Sequence, residues 1–486
     1  MKKISILFVL LLICTFVNSQ EVWEWAGSHS GALNDYSYEI ATDKNMNVIV
    51  AGAFESDTLF VEVDTLVCLG NYDAVVVKRD TDGNLLWSDN FGDNNNDYAK
   101  GIATDSLGNI YVTGYYTDSC VFGDDTLLNL GNEDIFLVKY GPDGEKIWSR
   151  KAGGSSLDIA YAVKTDTSGY VYICGYFNSA SVFFGAEVIN NISSGTEDVF
   201  VAKYDWDGNL IWVRNAGGTN RDLCFDISVD KYGSCYLTGW YYSTSIDFGT
   251  QTIINNGWIE IYLLKFDSEG NPLWAFSAGA GLEDECFGVT NDDDANVYIT
   301  GNFHSTTFAF GGQSVVSNGD RDGFLCKLDA SGNVIWVHNV GGNLQDRCED
   351  VEYDNDGHII VSGWYYSTDM NFAGEDVNNL GDCDAFIAKY DTVGNEIWLK
   401  SAGGGSYDIS NCISVDNSGN IYTGVYSSSE EVTFGTHSVT GIQEFDFFVA
   451  KIAQCDVPMI LPDTVYVCDG EEEELIAGDE DLYSYY

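Results

Sequence analysis

The chain has 486 residues, with 75 acidic against 22 basic side chains and a formal net charge of −53. Such a surface cannot grip phosphate backbones and is repelled by anionic membranes, so neither nucleic acid nor membrane insertion is expected, whereas solubility and cation binding fit. Four prolines against 52 glycines and 14% aromatics point to short strands and glycine-bearing turns, an all-β chain.

The chain opens Met1-Lys2-Lys3, runs apolar from Ile4 to Val17 and reaches Asn18-Ser19-Gln20. Two positive charges, an apolar stretch too short to span a bilayer and a small residue predict a secretory signal peptide over 1–19. A secreted, extracellular or cell-surface location follows. Twelve cysteines remain after the signal, and export suggests disulfides among them. Cys224, Cys286 and Cys348 nevertheless recur at one repeat position, which equally suits small buried side chains. No Cys/His cluster of zinc spacing occurs.

From residue 20 to 455 one pattern recurs. Lysines stand at 78, 139, 203, 265, 327, 389 and 451, in steps of 61 to 64 residues. Five residues before each is an acid, the series Asp73, Asp134, Asp198, Glu260, Asp322, Asp384 and Asp446. Nine residues after the first six comes a tryptophan, Trp87, Trp148, Trp212, Trp274, Trp336 and Trp398. Each unit begins at an aspartate (Asp35, Asp97, Asp158, Asp222, Asp284, Asp346, Asp408), with a second eight residues later (Asp43, Asp105, Asp166, Asp230, Asp292, Asp354, Asp416). The short apolar segment between them is strand one. A tight turn leads to strand two, such as Ile110-Tyr-Val-Thr-Gly-Tyr-Tyr116, whose recurring glycine signals a close backbone approach or a bulge. A longer variable segment with a frequent Phe-Gly precedes strand three, which carries the lysine. Turns such as Asp205-Trp-Asp-Gly-Asn209 then lead to strand four with the tryptophan.

Four antiparallel strands repeated radially describe a β-propeller. Strands one to three occur seven times. Strand four follows strand three only six times, because Ile460 stands where the tryptophan after Lys451 belongs. The missing copy is Trp25 in Glu21-Val-Trp-Glu-Trp25-Ala-Gly27, so the N-terminal strand is expected to complete blade seven and leave no open edge. Residues 456–486 break the pattern and read as the truncated start of an Ig-like β-sandwich, with a disordered acidic tail as the other reading.

The unit Asp-x-Phe-Val-Ala-Lys-Tyr-Asp-x-x-Gly-Asn-x-x-Trp, then Ala-Gly-Gly, Asp and Gly-Asn-x-Tyr-x-x-Gly, resembles the bacterial β-propeller repeat family called SBBP. The Cys-Asp-Gly-Glu tail resembles Ig-like modules of large secreted proteins with gliding-motility-type C-terminal domains. That resemblance implies surface display, by type IX secretion, of a monomeric propeller within a longer multidomain chain.

A catalytic group is needed once, so a residue present in every blade reads as architecture. The tryptophans are expected to pack between blades. The lysines, set in apolar strands, need partners, which the Asp35 or Asp73 series would supply. Calcium is a possible cofactor: Asp93-Asn-Asn-Asn-Asp97 and Asp292-Asp-Asp294 offer hard oxygen ligands without EF-hand order. Function is expected where blades differ. Around the strand-two glycine this singles out Tyr115, Tyr176, Trp240, Tyr242, Trp364 and Tyr366, aromatics suited to a glycan or a surface protein. No Asp-box, Gly-x-Ser-x-Gly elbow or His-Glu-x-x-His is present, and the six arginines are scattered. The expectation is a non-catalytic binding or scaffolding propeller. Two alternatives stay open, a carbohydrate-active enzyme using channel carboxylates and a structural spacer of a large adhesin.

Overall fold

The computed structural model describes residues 22–454 except 250, 355, 369, 442 and 443. The expected signal peptide (1–19) and the segment 456–486 lie outside the described residues. Local hydrogen bonding sets the hairpins. Asp205 Oδ1 accepts the backbone N–H of Asp207 at 3.0 Å and of Asn209 at 2.8 Å, and Gly208 takes φ 76° to close the turn. The second aspartate series does the same one turn earlier, where Asp105 Oδ1 accepts the N–H groups of Leu107 and Asn109, both at 2.9 Å.

These turns fold each unit into a four-stranded antiparallel blade. Blade 2, for example, runs Asp97–Thr104, Ile110–Phe122, Asp125–Tyr140 and Lys146–Ala152. Seven such blades form a ring in which each first strand stands beside the next, and the first strand of blade 7 beside that of blade 1. Val22–His29 pairs antiparallel with Asp446–Ala453 and completes blade 7, with Trp25 opposite Lys451 as Trp87 is opposite Lys78. The propeller is therefore closed by its N-terminal strand.

The variable segment is a second hairpin. Outside blade 3, Ser181–Phe184 pairs with Glu187–Asn190; in blade 2 the ribbon is continuous with its long second and third strands. Each Phe-Gly buries the phenylalanine (Phe184 is 2% exposed) and turns on the glycine, Gly185 at φ 65°. The ribbon reaches back to the preceding blade, bridging Gly153 to Phe183 and Gly217 to Asp247. The Ala-Gly-Gly endings of the fourth strands thus receive the next blade's ribbon.

The lysine partners differ from expectation. For five of the lysines they come from the Asp43 series, not from the Asp35 or Asp73 series: Lys78 lies 2.8 Å from Asp43, Lys389 3.4 Å from Asp354, Lys327 3.7 Å from Asp292, Lys265 3.8 Å from Asp230 and Lys139 4.0 Å from Asp105, while Lys451 takes Glu24 of the N-terminal strand at 2.6 Å. The spread has a cause. Opposite the lysine, blades 1 and 6 carry Ile49 and Ile360, whereas the looser pairs carry a tyrosine whose hydroxyl takes the carboxylate, as Tyr111 does with Asp105 at 3.1 Å. In blades 1, 2, 3 and 7 the ammonium also donates to a carbonyl of the next blade's turn, and the tryptophan indole donates to the same oxygen. Lys203 and Trp212 share Ser268 O at 3.2 and 3.0 Å; Lys451 and Trp25 share Thr81 O, both at 3.0 Å, across the closure.

The other two acid series meet between blades at the opposite edge, and all are at most 2% exposed. Asp35 faces Asp446, Asp158 faces Asp134 and Asp222 faces Asp198. Backbone N–H groups and serine hydroxyls hold them, as Ser179 holds Asp158 at 2.7 Å. Burial, reinforced by the facing carboxylate, lifts Asp35, Asp158 and Asp222 to about 7. All ten described cysteines are free thiols, nine of them buried, so here they serve as small core residues.

Two tests follow from these contacts. Lys78→Met strands the buried Asp43 carboxylate and is expected to cost about 3 kcal/mol in chemical denaturation, part of it recovered in Lys78→Met/Asp43→Asn. An unchanged midpoint for the single variant would refute the buried pair. The raised interblade carboxylates keep protons that the unfolded chain releases near pH 4, so their stabilisation is complete below about pH 4 and lost as pH rises through about 7. The melting temperature without divalent cations should therefore fall between about pH 5 and about pH 8, and a flat or rising profile there contradicts the protonated pairs.

Candidate functional site at the mouth of the central channel

The seven first strands line the channel, and each carries a β-bulge. Pairing with the second strand skips one residue per blade: Tyr38, Lys100, Tyr161, Phe225, Phe287, Glu349 and Asn411. A bulge leaves one residue unpaired and re-aims its side chain. The strand-two glycine makes room for it: a Cβ on Gly114 would lie 1.9 Å from the Tyr98 carbonyl oxygen, and on Gly175 2.0 Å from that of Ile159. All seven bulge side chains face one cavity of about 510 Å³ at the end where the first strands begin.

Its walls are aromatic. Tyr161, Phe225 and Phe287 follow one another at 5.1 and 5.4 Å between ring centroids, and Tyr36 meets Tyr426 edge-on at 5.5 Å. The Lys100 ammonium lies 3.2 Å from the Tyr38 ring centroid and 5.2 Å from that of Tyr98, a cation–π cage. Burial pushes the Lys100 amine down to about 7. Opposite, Arg347 sits 3.9 Å over Phe287 and bonds Glu349 at 2.8 Å, and the Trp364 indole donates to Glu349 at 2.8 Å.

Deeper in the channel Lys164 meets four carboxylates. Burial alone would lower the Lys164 amine; Glu352, Glu39, Asp226 and Asp350 reverse that and hold it well above its ordinary value. Burial raises Asp226 to about 6 and, with the Asp226 charge, Asp350 to about 8. Both are also tied to the scaffold. Asp226 accepts the Val289 N–H at 2.8 Å and Asp350 the Ile413 N–H at 2.9 Å, each in the following blade.

Of the six aromatics singled out from sequence, the structure gathers four at this mouth. Trp364 lines the cavity. Tyr115, Tyr176 and Trp240 back its wall, at 4.9 Å from Tyr98, 5.7 Å from Tyr161 and 6.2 Å from Phe225. Tyr242 lies further out against Trp258 at 6.3 Å, and Tyr366 against Tyr407 at 6.4 Å.

The family model for the SBBP β-propeller repeat matches residues 86–117, from strand four of blade 1 into strand two of blade 2. An uncharacterized WD repeat-containing protein of Acanthamoeba polyphaga mimivirus is 25% identical over 90% of this chain, and the regulatory protein FlaEY of Caulobacter vibrioides 22% identical over 66%. The chain spans 39% and 35% of the length of these relatives. Among solved structures, YCF48 bound to D1 peptide aligns with 91% of this chain and 98% of its own at 7% identity and a TM-score of 0.41. A gluconolactonase from Xanthomonas campestris aligns with 70% of this chain and 93% of its own at 11% identity and a TM-score of 0.32. The repeat match and the WD repeat-containing relative agree with the β-propeller that the strands form.

The bulge residues themselves escaped the sequence reading. They stand three positions after each first-series aspartate, and the variation that singled out strand two is equally visible there. Of the two stretches considered for calcium, Asp292 is committed elsewhere, accepting the N–H groups of Asp294 and Asn296 and the Tyr298 hydroxyl beside Lys327. Asp93–Asp97 is taken up below.

A buried amine at about 7 gives a direct test of the mouth. Pulse labelling with an acylating reagent, read by mass spectrometry across pH, should modify Lys100 with a midpoint near 7, against about 10 for exposed lysines. A Lys100 midpoint with the exposed group would remove the desolvated cage.

Proposed function

We propose that the chain is a secreted or cell-surface binding module, non-catalytic, that takes a glycan in the mouth of its channel. One observation carries this reading. The scaffold positions are the same in every blade, while the single bulge residue each blade offers to the cavity differs, and those residues combine aromatic faces with polar groups. Sugar rings stack on faces such as Tyr161, Phe225 and Trp364, and Lys100, Glu349 and Asn411 can serve their hydroxyls. The module is read as one monomeric part of a longer exported chain, consistent with the partial coverage of its relatives.

A segment of another surface protein is the second reading. It is favoured by Leu69, Leu130, Ile192, Trp258 and Leu380, which are 49–66% exposed on loops entering the third strands at the mouth end. Hydrolysis in the channel has weaker support. The carboxyls of Asp226 and Asp350 are driven apart, as an acid–base pair requires, but both already serve as blade-to-blade acceptors.

A glycan array with the full chain, repeated with Tyr161→Ala and Trp364→Ala, tests the proposal. Selective binding weakened at least about tenfold in both variants, with the sugar recovered intact, is the expected result. Silence on the array with capture of a protein ligand would favour the second reading, and released sugar would favour an enzyme.

A further inference from the structure

Asp97 departs from the arrangement that five of the other blades keep. In blades 1, 3, 4, 6 and 7 the equivalent carboxylate accepts a serine hydroxyl at 2.6–3.0 Å. In blade 2 the loop is a residue shorter: Phe122 follows the strand-two glycine by eight positions, where Phe184 and Phe248 follow theirs by nine. The second strand consequently runs unbroken over Ile110–Phe122, and Asp118, at φ 63°, takes the place of the serine.

Without that hydroxyl, Asp97 Oδ2 accepts only the Asp93 N–H, at 3.0 Å, and Oδ1 has no hydrogen-bond partner. Across the blade boundary Asp73 Oδ2 accepts the Leu69 N–H at 3.1 Å and the Asn90 amide at 3.2 Å, and its Oδ1 is likewise unpartnered. Both side chains are wholly buried. Asp73 Oδ1 and Asp97 Oδ2 each lie 2.8 Å from the point a Cβ on Gly92 would occupy, so the two carboxylates converge. Asp93 joins them. Its backbone N–H is the one that donates to Asp97, and its carboxylate turns to Ser119 across the same loop. The leading influences on Asp73 and Asp97 include no basic side chain. The unpartnered Oδ1 of Asp73 recurs at Asp134, Asp198, Asp322 and Asp384, but among the described residues only this boundary has a second one on the facing carboxylate, Asp97, and a third acid beside it.

We infer that the boundary between blades 1 and 2 is a calcium site, with Asp73 and Asp97 as buried ligands and Asp93 as the third. Calcium takes hard oxygen ligands in flexible geometry and completes its shell with carbonyls and water. No group of three or more His, Cys, Asp and Glu is assembled in ligand geometry among the described residues. Asp93 must therefore swing in, exchanging the Ser119 N–H and hydroxyl that its Oδ2 accepts at 3.2 and 2.5 Å for the ion.

The test uses the chelator-stripped full chain and terbium, a calcium mimic whose emission is sensitised by nearby tyrosine; Tyr116 is close enough to feel the Asp97 charge. Expected are one terbium per chain, displacement by calcium, a higher melting temperature in calcium, and affinity lowered at least tenfold in Asp93→Asn. Emission lifetimes in H2O and D2O for the unmutated chain decide the matter independently of that variant's folding. A buried site keeps fewer than half the waters of the free ion. Absence of stoichiometric terbium binding, a nearly full hydration shell, or unchanged affinity in a folded Asp93→Asn would overturn the site. None of these readouts involves the channel mouth, so the glycan proposal stands or falls separately.

Discussion

At four of the blade junctions, adhesion centres on one carbonyl oxygen. At Ser268 O, Thr81 O, Pro142 O and Trp206 O, a buried ammonium and an indole N–H from the preceding blade converge on the turn of the next. At Pro142 O and Trp206 O the ammonium is anchored from behind by an aspartate that also shapes a hairpin of its own blade, and at Thr81 O by Glu24. Hairpin geometry, charge neutralisation and ring assembly therefore depend on the same few atoms. These links act together with the ribbon bridges and the buried carboxylates that also cross blade boundaries, and at the closure Trp25 of the N-terminal strand and Lys451 of the last strand meet on Thr81 O.

That dependence explains the division between constant and varying positions. The lysine, tryptophan and turn aspartates are held in place by partners in two blades, so changing one strands the others. The bulge residue has no such obligation. Its backbone is unpaired by the bulge, its side chain projects into the channel, and the glycine opposite absorbs the displaced carbonyl whatever the side chain is. The fold thus provides seven positions around one cavity that can hold Tyr, Lys, Phe, Glu or Asn without disturbing the ring.

The architecture was legible in the chain because it is periodic. Counting lysines against tryptophans was enough to place Trp25 in blade seven. The lysine partners were not legible, since three acid series lie within reach of each strand and only the register decides among them. The interposed tyrosines that loosen the Lys139 and Lys265 pairs depend on that register too. The site was half legible. Trp364 and the backing rings stood out by their variation, but Lys100 lies in a segment, Ala99-Lys-Gly-Ile-Ala103, that reads as an ordinary apolar strand unless its bulge is known.

The charge imbalance looks different once the cations are placed. Seven lysines are buried in the junction clasps, and Lys100 and Lys164 face the channel, so much of the positive charge is spent inside while most acids stay outside or pair with one another. The field reaching solvent is therefore more negative than composition alone suggests, and it repels anionic ligands before they arrive. At the mouth, Arg347 is already neutralised by Glu349, and burial lowers the Lys100 amine toward neutrality. What the cavity offers an approaching molecule is then aromatic surface and hydrogen-bonding groups with little net charge. Those are the features on which the proposed glycan reading rests: flat faces for sugar rings and hydrogen-bonding groups for hydroxyls.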